Sequence, residues 1–263
     1  MGALIKLELH NLFRQKSFYV CVGINALLAV IFYLIWAYTP IQVGDIFEAI
    51  MSGEELPEKT SSGFSASLST LSMLANYFPL ILGIAMVSFI VPDYTQNTMK
   101  NVYSRGFSRT QVFFAKYVAS LVIMGVMLAM IFLFSFIAGT IQFSAGQADG
   151  KYFALLGGQI LVAVAFATVE FAICIMLKNI PGSIVLIIVS TMIFSQILLF
   201  VDLLLLSQDV SFQTSKFWLS SFLSDLSYTG ITWARYAGCT LGALAYGAAM
   251  LAIGWAVNLR SEK

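Results

Sequence analysis

The sequence predicts an all-α membrane protein with six transmembrane helices in one domain, residues 1–263. Two numbers and one pattern carry this. Of 263 residues, 59% are hydrophobic and 10% charged, where soluble domains carry roughly 25% charged residues. Mean hydropathy is +0.88. So few charges leave a soluble domain of this length without a polar surface, and disorder is excluded because it requires low hydrophobicity and high charge. The pattern is the recurrence of nearly charge-free stretches of about 20 residues, the length at which a helix crosses a bilayer. A formal net charge of +1 provides no basic field for nucleic acid.

In chain order, residues 3–16 predict an interfacial amphipathic helix. Ile5, Leu9, Leu12 and Phe13 recur at helical spacing, with Lys6, His10, Arg14 and Gln15 mostly opposite, an arrangement that lies in the headgroup plane. It serves either as a topology anchor or as a lever touching a cytoplasmic partner. The first span covers residues 18–38 and is followed by Tyr38-Thr39-Pro40, not by a small-residue cleavage site, so it is expected to be retained. Residues 39–72 hold five acids against Lys59 and a Ser- and Gly-containing stretch. They read as a mobile, solvated loop, or as a weak attractor for cations. The second span covers residues 71–91 and ends at Pro92-Asp93.

The next segment is the most informative. Residues 98–105 form a short helix with Met99, Val102 and Tyr103 on one side and Lys100, Asn101 and Ser104 on the other. Gly106 stands where a helix ends in a left-handed residue. Ser108-Arg109-Thr110-Gln111 is a capping box, serine covering the N–H of the third residue and glutamine reaching back. The third helix therefore starts before the membrane; its span follows Lys116 and runs to residue 141. This is a helical hairpin with four cations, either a plain positive loop or a docking element. The fourth span covers residues 153–177 and contains Glu170; the fifth covers 184–205 with Asp202 near its end. Residues 207–233 are too apolar for a free loop and too short to cross and return. They read as one or two short helices, dipping into the outer leaflet or lying flat on it, with Trp218, Tyr228 and Trp233 at the interface. The sixth span lies between Arg235 and Arg260.

Orientation follows from the basic residues. Lys6, Arg14, Lys16, Lys100, Arg105, Arg109, Lys116, Lys178, Arg260 and Lys263 fall on one side, against Lys59, Lys151, Lys216 and Arg235 on the other. Positive charge stays inside, so both termini are expected in the cytoplasm, with the protein in the cell membrane.

The catalytic sets are missing. No G-x-x-x-x-G-K-[ST] occurs, so this chain has no P-loop for ATP, and neither H-E-x-x-H nor zinc spacing is present. The cysteines Cys21, Cys174 and Cys239 sit in apolar runs, and His10 is the one histidine. The chain reads as no enzyme, with no catalytic residue, metal or cofactor of its own. Glu170 is the mid-span charge. Such a group costs about 2.5–3.5 kcal/mol on insertion scales and faces a cavity or partner. It is a protonated or hydrogen-bonded structural carboxyl, part of a transport route, or half of an ion pair with an inner-leaflet cation. Polar residues of spans one, two and five, namely Asn25, Asn76, Thr191, Ser195 and Gln196, are with Glu170 the candidates for a substrate path. Polar wall residues without charge and 14% aromatics suit an amphipathic cargo better than a small ion.

Residues 4–19 and 93–116 resemble the permease subunits of type-2 ABC exporters, the class that includes bacterial peptide-antibiotic immunity and multidrug permeases. The opening is similar to that family's connecting helix. The stretch from Asp93 through Thr98, Lys100, Ser104, Arg105, Gly106, Ser108 and Arg109 to Lys116 is similar to its coupling segment. Asp93 stands for the commoner Glu and Asn97 for the commoner Gly. The resemblance implies that Asp93, Thr98, Lys100, Arg105, Gly106, Ser108 and Arg109 couple to a separate cytoplasmic ABC ATPase. Two ATPase copies, holding the ATP and Mg, would work with this permease and a second permease copy or homologue to move peptide antibiotics or drugs outward. The alternative is a secondary transporter or channel independent of ATP.

Overall fold

The computed structural model describes residues 2–38, 62–96, 102–104, 106–146, 149–206, 213–227 and 230–260. Among them the secondary structure is helical, without a strand. Six helices are long and apolar enough to cross a membrane: Lys16–Tyr38, Tyr77–Thr95, Arg109–Gln142, Gly150–Leu177, Ile180–Leu205 and Trp233–Arg260. Six crossings place the N-terminal helix Gly2–Arg14, the 102–108 segment, the turn at Lys178 and the end of the sixth span on one face, here the near face. The other connections lie on the far face.

The third span is 34 residues long, about 50 Å at 1.5 Å per residue, and outruns a hydrocarbon core of about 30 Å. Its start is the predicted one. Ser108 Oγ accepts from the Gln111 N–H at 3.3 Å, and Gln111 Oε1 accepts from the Ser108 N–H at 3.1 Å. The fifth span starts at Ile180 rather than 184, because Pro181 fits a first helical turn. A π-helical turn at Val189–Ile193 interrupts it.

The stretch before the second span departs most from expectation. Residues 63–73 form a separate helix, Gly63–Met73, and the span proper begins at Tyr77. Ser62 and Ser65 form a capping box, which fixes the start. The helix then lies against the end of the third span with almost no gap. A Cβ on Gly63 would stand 2.3 Å from Thr140 Oγ1, and one on Gly139 would stand 2.7 Å from the Ala66 Cβ. Residues 62–72 are therefore packed, not a mobile loop. The small residues that suggested mobility are what allow the close crossing. The acidic residues Asp45 to Glu58 lie outside the described residues.

Lipid chains are as apolar as leucine, so the bundle is held by close packing and polar ties. The second and fourth spans form the interior, 61% and 67% buried, against 17% for the fifth and 11% for the sixth. The sixth span lies on the fourth through small residues, Gly254 meeting Ala172 and Gly247 meeting Ala165. Asn25 donates to the Met127 carbonyl at 3.0 Å, and Gln159 to the Leu68 carbonyl at 3.2 Å. The Tyr117 and Thr168 hydroxyls stand 2.9 Å apart. Membrane ties of this kind contribute about 0.6 kcal/mol each.

Candidate functional site

The near face is organised around Lys116, which is fully buried two turns into the third helix. Its ammonium donates to the Asp93 carboxylate at the end of the second span, and to Glu8 Oε2 of the N-terminal helix at 3.4 Å. It also stands 5.4 Å from the Phe89 ring centre. Next to Asp93, the Tyr94 ring faces the Lys178 ammonium at 5.0 Å. Lys178 caps the fourth span in the left-handed region, φ +48°. Charge and ring contacts thus join four chain segments on one face.

One cation faces two carboxylates here. The Asp93 side chain keeps 37% exposure while Glu8 keeps 7%. Burial pushes the Glu8 carboxyl above its ordinary value; the Lys116 charge opposes the rise, and Asp93 adds to it. Glu8 is thus a carboxyl that burial disposes to hold its proton. Around this network, Leu4, Val112 and Ala115 form a small apolar cluster on which Ile5, Tyr94, Val102, Tyr103 and Phe107 pack. The turn after residues 102–104 closes with the Gly106 N–H donating to the Tyr103 carbonyl at 2.9 Å. Gly106 takes φ +85°, the left-handed conformation that disfavours a side chain, although a Cβ there would meet nothing within 4 Å.

Of the residues expected to couple, Asp93, Gly106, Ser108 and Arg109 are gathered within this face. Thr98, Lys100 and Arg105 lie outside the described residues. Glu8 and Lys116 were not among the expected site residues. The structure shows what the sequence reading missed for Glu8: the buried residues of the first helix are Leu4, Glu8 and Leu12, one stripe at i, i+4. That stripe turns the helix so that Phe13, expected on the apolar side, is 46% exposed.

On the far face a cavity of about 230 Å³ is lined by Ser72, Ala75, Asn76, Ser195, Gln196, Leu198, Leu199, Ser215, Trp218, Ser220, Ser221 and Ser224. Three expected path residues, Asn76, Ser195 and Gln196, thus share one wall system. Ser195 Oγ donates to Asn76 Oδ1 at 3.3 Å, tying the fifth span to the second. The lining bears no charge. The volume falls below the roughly 300–1,000 Å³ of a drug-sized pocket, so the cavity suits one polar group of a larger molecule. Its floor is the segment 213–227, with a 3-10 turn Ser215–Phe217 and a helix Leu219–Asp225. This floor is held at both ends. Asp202 accepts from the Thr214 hydroxyl and from the Thr214 and Ser215 N–H groups; Arg235 pairs with Asp225 and donates to the Lys216 carbonyl. Asp202, half-buried at the outer end of its span, thus clamps the chain that follows it.

Three candidates stand apart. Asn25, in the first span, is fully buried against the third, its amide N–H donating to the Met127 carbonyl and its Oδ1 left without a partner. Thr191 bonds back to the Ile187 carbonyl at 2.7 Å, as threonine does in apolar helices. Glu170 is buried between the second, fourth and fifth spans, and neither of its oxygens has a hydrogen-bond partner. The ion pair considered for it is absent among the described residues.

The family model described as ABC-2 family transporter protein matches residues 4–195. The chain belongs to the ABC-2 transporter family. None of the curated proteins matches it. The matched stretch of this ABC-2 protein holds Glu8, Asp93, Lys116 and Glu170, and ends inside the cavity wall at Ser195. As a member it is a multi-pass membrane subunit of an ABC transporter. Among the described residues no group of His, Cys, Asp and Glu is arranged to hold a metal.

Proposed function

We propose that this chain is the membrane-spanning subunit of an ATP-driven exporter, energised by two copies of a separate cytoplasmic ATPase and working with a second permease. The observation that carries the reading is the near face. A capped, glycine-hinged segment rests there on a buried Lys116 network that also seats the first helix. A push on such a surface reaches three spans at once, whereas a simple connector needs no buried cation. The basic residues favour a cytoplasmic near face. ATP and Mg then belong to the partner.

The far-face cavity supports a path between the second and fifth spans that passes an amphipathic cargo, a peptide antibiotic or drug, outward. Its uncharged hydroxyl and amide lining suits a polar substituent while the apolar body stays against the spans. The test is purification of the full chain from cells co-expressing the ATPase encoded beside it, followed by transport of fluorescent amphipathic peptides into inverted vesicles. ATP-dependent uptake that disappears when the Walker lysine of the ATPase is replaced is the expected result. Uptake without an ATPase would favour the secondary-transporter alternative, and no co-purifying ATPase would overturn the reading.

A further inference from the structure

Among the described residues, Glu170 is the one buried acid that neither the near-face network nor the far cavity uses. It is 1% exposed, in the fourth span, and both carboxylate oxygens lack a partner. Opposite it the second span presents Gly83. A Cβ there would stand 3.3 Å from Glu170 Cδ and 2.7 Å from Ile187 Cγ2 of the fifth span. One turn before Ile187, Ser183 is also fully buried with its hydroxyl unpartnered. Two polar side chains on neighbouring helices are thus hidden in the apolar interior with nothing to bond. An ionised carboxylate in hydrocarbon is far costlier than a neutral acid, so the closed arrangement holds the acid.

Among the described residues no charged group faces it. The second span offers Asp93 only ten residues beyond Gly83, and Lys178 lies eight residues along the fourth span, about 12 Å. The third span presents Phe113 and Tyr117 to Phe171, the hydroxyl of Tyr117 going to Thr168, and the sixth presents Gly254 to Ala172. Cys174 is one turn away on the same helix. The cover over Glu170 is the nine-residue piece Ile180–Ile188, bounded by Pro181 at one end and by the π turn Val189–Ile193 at the other. It belongs to a span that is 17% buried. A short helix between two irregular ends, with little holding its outer side, is a piece of this bundle that moves at low cost.

We propose that Glu170 is a docking site for a cationic group of the cargo, an ammonium or guanidinium, uncovered when the Ile180–Ile188 piece withdraws. The inference rests on the exporter reading and names a substrate class for it. The exchange balances: the acid O–H breaks and its proton leaves to water, the carboxylate pairs with the incoming cation, and a proton returns when the cargo leaves. The buried charge stays at zero throughout.

The test uses the full chain in lipid nanodiscs without ATPase. N,N′-dicyclohexylcarbodiimide, an apolar reagent that modifies protonated carboxyls, is followed by peptide mass spectrometry, with Glu170→Gln marking the site. The inference expects adduct on Glu170 at neutral pH, reduced several-fold by dodecylammonium and unchanged by dodecanol of the same chain length. Absence of adduct, no protection, or equal protection by dodecanol overturns it. The readout involves no transport. Selective protection in a chain that never exports would sink the exporter reading alone, and ATP-driven export with unprotected Glu170 would sink this inference alone.

Discussion

Lys116 shows how one side chain decides a face. Removing one member of a fully buried ion pair costs about 3–5 kcal/mol because the partner is left charged and unpaired, and the 37% exposure of Asp93 lowers the cost here. Lys116→Met should therefore lower the melting temperature of the detergent-solubilised protein sharply. Adding Glu8→Gln and Asp93→Asn should recover most of the loss, since the apolar replacement then leaves no stranded charge; a triple variant as unstable as the single would refute the network. Glu8 adds a pH dependence whose sign is set. Its carboxyl lies above the ordinary 4.5, with burial as the largest cause. Seating of the first helix is thus favoured fully below that ordinary value and weakens as pH rises through the raised one. Hydrogen exchange of residues 2–14 should accelerate with pH beyond its intrinsic trend in the parent, and follow only the intrinsic trend in Glu8→Gln. The buried stripe Leu4–Glu8–Leu12 was not read from the sequence, where Ile5, Leu9, Leu12 and Phe13 formed the apolar side, because a carboxylate in a first turn or two ordinarily marks a solvated face. That Lys116 pins it was not legible either, because the contact joins positions 108 residues apart, and spacing along the chain carries no record of such a pairing.

At the scale of elements, short-range chemistry was legible and long-range crossings were not. The capping box at Ser108 and the glycine turn follow from residues within four positions of each other, and both formed. Ser108→Ala should cost about 1 kcal/mol. Gly106→Val places a branched side chain at φ +85°, a conformation costing L-residues roughly 1–2 kcal/mol or more. It should weaken ATPase co-purification while the chain still inserts at parental levels, as membrane fractionation would measure; parental co-purification would count against the turn as a docking element. By contrast, the helix Gly63–Met73 was hidden, because Ser and Gly signal both loops and tight helix crossings. The crossing itself makes a prediction. Gly139→Leu meets Ala66 and Gly63 within 3.0 Å, and overpacking of this kind costs about 1–3 kcal/mol. A thermal shift should be seen, whereas Gly125→Leu, with nothing within 4 Å, should be silent.

For the whole molecule, hydropathy was enough to count the spans, since each must satisfy its own backbone in lipid. It was not enough to tell which spans form the interior, because lipid-facing and protein-facing helices are equally apolar here. Orientation is open to a direct check. With the three native cysteines buried, a membrane-impermeant thiol reagent applied to intact cells should label Lys151→Cys and spare Arg109→Cys; the reverse pattern would invert the topology. The segment under the far cavity has a further consequence. It is clamped by Asp202 to the fifth span and by Arg235 to the sixth, so it works as a crossbar between two uprights. If the uprights part, the crossbar must tilt or let go, and the serines it carries leave the cavity together. Widening on the far face would then be stepwise, with one ion pair and one capped turn setting the force at which the step occurs.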